Sequence, residues 1–238
     1  MGRIDVRVLD RSFTFEWGRL AEQAGGAVLV REGGTVLLVT ACAAPEPREG
    51  IGFFPLTVDY RERFSAVGRF PGGYRKREGA ATIHEVLTSR LIDRSIRPLF
   101  PSGFRAETQV LATVLSYEPD GDPAVLGILG AAAALELSDL PFDGPVAGIR
   151  IGRSPEGAPI AYPRAADVEA GAVDLVATVG RNGLVMVEGS AREASEEAMV
   201  EALSVAQEQA VPLVEAIGSL RREGRAKRPL PEERTDAE

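Results

Sequence analysis

Residues 107–138 constrain the fold most. Glu107–Tyr117 is apolar on nearly both faces, with Thr108, Val110, Ala112 and Val114 in one set and Gln109, Leu111, Thr113 and Leu115 in the other, the pattern of a central strand. After the loop Glu118–Pro123, the stretch Ala124–Ser138 is rich in alanine and leucine. It reads as a buried helix whose small residues allow close packing. Such a pair needs cover from other elements, and a chain of 238 residues, 45% of them hydrophobic, has enough for one large domain or two small ones.

The cover is legible on both sides. Ile4, Val6 and Val8 alternate, as do Phe13 and Phe15, which gives two short strands joined at Asp10–Ser12. Ala27–Arg31 and Thr35–Ala43 form a β-hairpin around Glu32-Gly33-Gly34, and Phe53–Tyr60 is a further strand. Ile83–Phe100 reads as a helix ended by Pro98 and Pro101. Val146–Gly152, Ile160–Tyr162, Asp174–Val179 and Leu184–Glu188 are four more strands, the last two linked by the hairpin signal Arg181-Asn182-Gly183. A long amphipathic helix runs from about Ser195 to Arg222, with Met199, Leu203, Ala206 and Ala210 on one stripe and a kink expected at Pro212. This order describes one α+β domain over residues 1–223, followed by a disordered or linker tail at 224–238.

Charge is segregated along the chain. Arg61–Arg105 carries ten basic residues against four acidic ones, a local +6 inside a chain of formal net charge −8. Thr82 and Glu85 fit a capping box that starts the helix. On a helical wheel Arg90, Arg94 and Arg97 share a sector with Ile83, Val86 and Leu87, so the arginines extend the apolar face instead of opposing it. Three readings follow: they line a cleft or interface, they are neutralised in structural ion pairs by carboxylates such as Asp93, or they lie over apolar surface with their heads in water. Before the helix, Phe70–Gly79 is a glycine-bounded loop holding Tyr74 and three consecutive cations, Arg75, Lys76 and Arg77. Cations attract phosphates and the ring offers a stacking platform for a base, which is single-strand chemistry; the bland reading is a solvated charged surface.

Other function classes find little support. Cys42 is the only cysteine, so no disulfide forms within the chain and a reducing cytoplasm is the expected location. No stretch approaches the roughly 18 apolar residues of a membrane span, so no membrane partner is expected. His84 is the only histidine, and no Cys/His pair has zinc spacing. Walker A and dinucleotide-binding glycine motifs are missing.

Three stretches carry a family resemblance: Phe53-Phe54-Pro55-Leu56-Thr57-Val58-Asp59-Tyr60, then Pro71-Gly72-Gly73-Tyr74-Arg75-Lys76-Arg77-Glu78-Gly79, then Leu87 through Pro101. They resemble the amino-terminal core domain of bacterial polynucleotide phosphorylases, and Pro141–Val146 and Asp174-Leu175-Val176 look like later landmarks of it. The resemblance implies a ribonuclease PH-like fold (ribosomal protein S5 domain 2-like), with mixed sheets packed against helices. It also implies membership of a ring-shaped trimer that degrades RNA from the 3′ end by phosphorolysis, consuming phosphate, releasing nucleoside diphosphates and using Mg2+.

Within that family, this domain partners a second ribonuclease PH-like core, which holds the catalytic phosphate and metal sites. No catalytic residue and no bound metal are therefore expected in this chain. In agreement, the loop Asp120-Gly121-Asp122-Pro123-Ala124 lacks the hydroxyls of a catalytic core, and only the scattered acids Asp167, Glu169 and Asp174 stand where metal ligands would be. By resemblance, Tyr74, Arg75, Lys76 and Arg77 grip single-stranded RNA, while Arg90, Arg94 and Arg97 line a vestigial anion site. The sequence departs from the family pattern in having Tyr74-Arg75-Lys76-Arg77 where two aromatics and two arginines are usual, and Ser95 where proline is common. Alternative readings are a non-enzymatic RNA-binding ring subunit that works with a separate catalytic core, and a small-anion sensor.

Overall fold

The computed structural model describes residues 1–229. A six-stranded sheet has the order β1 (Gly2–Val8), β2 (Arg11–Trp17), β3 (Gly26–Glu32), β4 (Thr35–Ala43), β6 (Thr108–Ser116), β5 (Leu56–Glu62). A four-stranded sheet has the order β10 (Gly183–Ala191), β9 (Val173–Gly180), β7 (Val146–Arg153), β8 (Pro159–Ala161). Neighbouring strands are antiparallel except β5 and β6, whose parallel pairing requires a crossover. Helix α1 (Ile83–Ile96) supplies it. The α+β expectation holds, and β6 is an interior strand between β4 and β5; only the face of Thr108, Val110, Ala112 and Val114 is buried, while Gln109 and Leu115 on the other face are exposed.

Helix α2 (Pro123–Leu137) is the layer between the sheets, and every residue from Ala124 to Leu137 is buried. It packs on β3 and β4 on one side and on β7 on the other. Its small residues set the spacing. A Cβ at Gly130 would stand 2.5 Å from Val39 Cγ2, one at Gly127 would stand 2.7 Å from Ile92 Cδ1, and across the layer one at Gly148 of β7 would meet Ile128 at 3.0 Å. Helix propensity disfavours Gly127 and Gly130 by about 1 kcal/mol each, so close approach decides these two positions.

Helix α1 starts where the sequence places it. Thr82 Oγ1 accepts from Glu85 N at 3.2 Å, and the Glu85 carboxylate accepts from Thr82 N at 2.6 Å. The helix ends at Ile96, short of the expected Phe100, because Arg97–Leu99 tightens into a 3₁₀ turn around Pro98. Its orientation also differs from the expectation. The buried face is Glu85, Thr88, Leu91, Ile92, Ser95 and Ile96, whereas Ile83, Val86 and Leu87 are 82%, 47% and 54% exposed. Two polar members of the inward face are satisfied there: Glu85 also accepts from Glu62 N at 2.9 Å, and Ser95 Oγ bonds Leu91 O and Thr178 Oγ1, both at 2.8 Å. The Ser95–Thr178 bond ties α1 to the four-stranded sheet.

Further differences are local. The strand expected to begin at Phe53 begins at Leu56; Phe54 instead joins a cluster with Phe100 and Phe104, while Phe53 is exposed. A short helix, α3 (Ala165–Ala170), was not anticipated. Helix α4 (Glu196–Ser219) runs on through Pro212 and buries Ala202, Ala206, Ala210, Leu213, Val214 and Ile217. The first residues of the expected tail are docked on the body. Arg225 N donates to Leu137 O, Lys227 Nζ donates to the carbonyls of Leu135, Glu136 and Ser138, and Arg228 pairs with Asp139 at 2.6 Å. They cover the open carbonyls at the end of α2, a position where a cation is favoured. The remainder of the expected tail, 230–238, lies outside the described residues.

Glu136, on the last turn of α2, is fully buried and neither carboxylate oxygen has a hydrogen-bond partner. Burial pushes its acid above the ordinary 4.5, against the pull of Lys227, Arg221 and Arg181. Burial in turn pushes the Lys227 ammonium down to about 8.

Two outcomes follow from this packing. Gly130→Ala gains about 1 kcal/mol of helix propensity but forces stiff, buried Val39 to move, at a cost of about 1–3 kcal/mol. A lowered urea midpoint is expected, and a raised one would show that the layer has slack. For Glu136, a folded-state pKa above the unfolded one favours the folded protein at low pH, and that advantage disappears as pH rises from about 4.5 through the folded value. Glu136→Gln lacks this titration. The melting temperature of the variant minus that of the parent should therefore climb with pH across that window, and a flat difference would contradict the assignment.

Candidate functional site

The loop Phe70–Gly79 leaves the body after a short 3₁₀ turn at Phe64–Val67, capped by Gly68 at φ +66°. Its far stem is pinned at two points: Arg61 Nη2 donates to Gly79 O at 3.0 Å and Phe64 N donates to Glu78 Oε1 at 3.2 Å. Beyond those pins the chain turns through Gly73 at φ +76° and Lys76 at φ +49°. Tyr74 is fully exposed and Phe70 nearly so. Arg75, Lys76 and Arg77 are exposed, and among the described residues none forms an ion pair. One ring and three uncompensated cations thus stand together in solvent, which is a suitable arrangement for stacking on a base while neutralising neighbouring phosphates.

The three helix arginines do not share one environment. Arg97 is held by Asp93 at 2.6 Å, donates to the carbonyls of Phe54 and Leu56, and lies 5.8 Å from the centre of the Phe54 ring. Arg94 pairs with Glu188 of β10. Arg90 is exposed, and its guanidinium has no partner among the described residues. Arg90 and Arg94 rise from the outward side of α1 among exposed Ile83, Val86 and Leu87. None of the three lines the large cleft described next.

That cleft, of about 700 Å³, lies between the stem of the loop and the segment leading into α2. At its floor the start of α2 is closed by its own cap, with Asp122 Oδ1 accepting from Ala124 N and Val125 N at 3.1 Å each. Arg150 of β7 is bidentate to Asp174 at 2.7 Å and reaches Asp122 at 3.2 Å. Hydrogen bonding to Asp174 raises the already high guanidinium pKa further, so this cation is committed to the scaffold. Asp167 caps α3 through Arg164 N at 2.9 Å.

The amides that a catalytic core of this type would offer to phosphate therefore face a carboxylate. The Mg2+ implied for the whole family does not fit this cleft either. Asp122 and Asp174 are both spent on Arg150, and among the described residues no three His, Cys, Asp or Glu side chains converge. Sequence reasoning missed Arg150 entirely; its only trace was a lone cation in an otherwise apolar strand.

The chain matches the description "3' exoribonuclease family, domain 1" over residues 10–141. It belongs to that family. Among curated relatives, a polyribonucleotide nucleotidyltransferase of Koribacter versatilis is 50% identical over 219 residues, covering 92% of this chain and 27% of the relative. Those of Heliobacterium modesticaldum and Myxococcus xanthus are each 50% identical, over 198 and 218 residues, covering 83% and 92% of this chain. The chain thus spans roughly a quarter to a third of the length of these relatives. A crystal structure of rice (Oryza sativa) Rrp46 aligns with a TM-score of 0.67 at 17% identity, covering 93% of this chain and 96% of that one; the likeness is one of fold. The resemblance to the amino-terminal ribonuclease PH-like core of polynucleotide phosphorylases is thereby established.

Proposed function

We propose that this domain is the RNA-binding and ring-assembly core of a polyribonucleotide nucleotidyltransferase, an enzyme that shortens RNA from its 3′ end by phosphorolysis to nucleoside diphosphates in the cytoplasm. The observation that carries the reading is the loop at Tyr74–Arg77, where a fully exposed ring sits beside three cations without an ion-pair partner among the described residues, on an otherwise acidic chain. A groove or loop of this sign on an acidic body attracts RNA locally without coating the whole protein.

Ring assembly draws on the outward face of α1. Ile83, Val86 and Leu87 are exposed together, and apolar groups so placed favour burial against another domain. A second ribonuclease PH-like core is the partner this reading gives them. Arg90 and Arg94 would then stand at the seam and supply the anion-binding cations, with Arg97 holding the base of the helix through Asp93. The chemical step belongs to that second core, together with phosphate and Mg2+, because the cleft in this domain presents carboxylates where an attacking phosphate would need donors. The same feature keeps a non-enzymatic ring subunit as the second reading.

Activity separates this domain from a self-sufficient enzyme. The isolated chain, freed of host nucleases, should release little or no nucleoside diphosphate from poly(A) in the presence of phosphate and Mg2+. Robust phosphate-dependent release would overturn the division of labour.

Binding tests the loop. Three cations neutralise up to about three phosphates, each adding roughly 0.7 to the slope of log affinity against log salt, while one ring adds about 1–3 kcal/mol of stacking. Replacing Arg75, Lys76 and Arg77 together by alanine should flatten that slope by up to about two units, whereas Tyr74→Ala should weaken binding by a similar factor at every salt concentration. Titrations of a labelled oligonucleotide decide it, and an unchanged slope in the triple variant would place the RNA path elsewhere.

A further inference from the structure

The 700 Å³ cleft has no part in RNA binding as described above, and its lining is unlike that of a phosphate site. Glu62, Glu78, Asp120 and Glu169 line it against one uncommitted cation, Arg63, because Arg150 is held by Asp122 and Asp174. His84 lies 3.3 Å from Glu62 and adds charge only when protonated. The walls between the carboxylates are apolar, with Phe64 and Tyr117 each about two-fifths exposed and Val67 half exposed. Anions meet the Asp122 carboxylate on the first amides of α2 and find no hydroxyl at Pro123 or Ala124. A bare metal ion finds no convergent donors among the described residues. Carboxylates spread over a wide, partly aromatic hollow suit a ligand whose positive charges are themselves spread along an apolar body, held by ion pairs and cation–π contacts.

We propose that this cleft binds an organic polyamine, its ammonium groups among Glu62, Glu78, Asp120 and Glu169 and its methylene chain against Phe64 and Tyr117. Because Glu78 also holds the stem of the basic loop through Phe64 N, the ligand would sit at the base of that loop.

The test is calorimetric titration of the full chain with spermidine at low ionic strength without RNA, so its failure leaves the RNA-binding reading untouched. One saturable site is expected. The combined variant Glu62→Gln, Glu78→Gln, Asp120→Asn, Glu169→Gln should weaken it by about tenfold or more, while Glu208→Gln with Glu215→Gln on the exposed side of α4 should not. Val67→Trp, which fills the hollow and leaves every carboxylate in place, should also abolish binding, and it carries the test alone if the combined variant fails to fold. Absence of a saturable site, equal weakening by the α4 variant, undiminished binding in Val67→Trp, or inorganic phosphate bound in preference to spermidine would each overturn the proposal.

Discussion

The packing of α2 between two sheets is the constraint on which the rest of the structure depends. A helix buried on every side has no solvated face to absorb error, so its diameter must match the gap that β3, β4 and β7 leave for it. Gly127 and Gly130 make the helix thin where Ile92 and Val39 press on it, and Gly148 thins the opposite wall where Ile128 presses back. At one end Asp122 closes the amides of this helix, and at the other Lys227 and Arg225 close its carbonyls. Both ends are thus settled by charge or backbone donors drawn from outside the helix.

The same placement sets what an anion would meet in the cleft. The start of α2 points its dipole and first amides into the hollow, which by itself would favour an anion. Asp122 already occupies that position from within the chain, and its second oxygen draws Arg150 and, through it, Asp174 into a closed network. Two carboxylates sharing one bidentate guanidinium leave little field for an external anion. A single residue in the 120–124 loop therefore closes this helix start to an external anion.

The layered order of elements was legible in the sequence because the two-faced strand and the alanine-rich helix admit few placements. The start of α1 was legible as well, since Thr82 and Glu85 announce it. Its orientation was not. Counting apolar residues puts Ile83, Val86 and Leu87 inside, yet Glu85, Thr88 and Ser95 are buried instead; Glu85 and Ser95 find partners there that only the fold supplies, Glu62 N and Thr178 Oγ1. Hydrophobic patterning fails where polar side chains are satisfied internally and apolar ones are left for a neighbour. The loop at Tyr74–Arg77 was easier to read, since an exposed cluster of like charges needs no tertiary partner to be what it is. The ion pair of Arg150 with Asp174 was invisible because it joins residues on adjacent strands whose register the sequence does not declare.

Orientation of α1 also bears on how the domain works with others. An apolar face left outward on a short helix is unfavourable in water, and here it adjoins Arg90 and Arg94 instead of a neutral polar rim. Were the face only a solvated surface, nothing would oppose exchanging Ile83, Val86 and Leu87 for polar residues. Were it a seam with another domain, the apolar side chains would supply association and the arginines would lie in a desolvated setting, where a cation interacts far more strongly with an anion than it does in bulk water. The relatives are three to four times longer than this chain, so most of their length is available to cover such a face. Under the proposed function the loop would need no cover to act, whereas the helix arginines would gain strength only when covered; RNA capture and anion binding would then respond differently to assembly, the first surviving in the isolated domain and the second emerging with a partner domain.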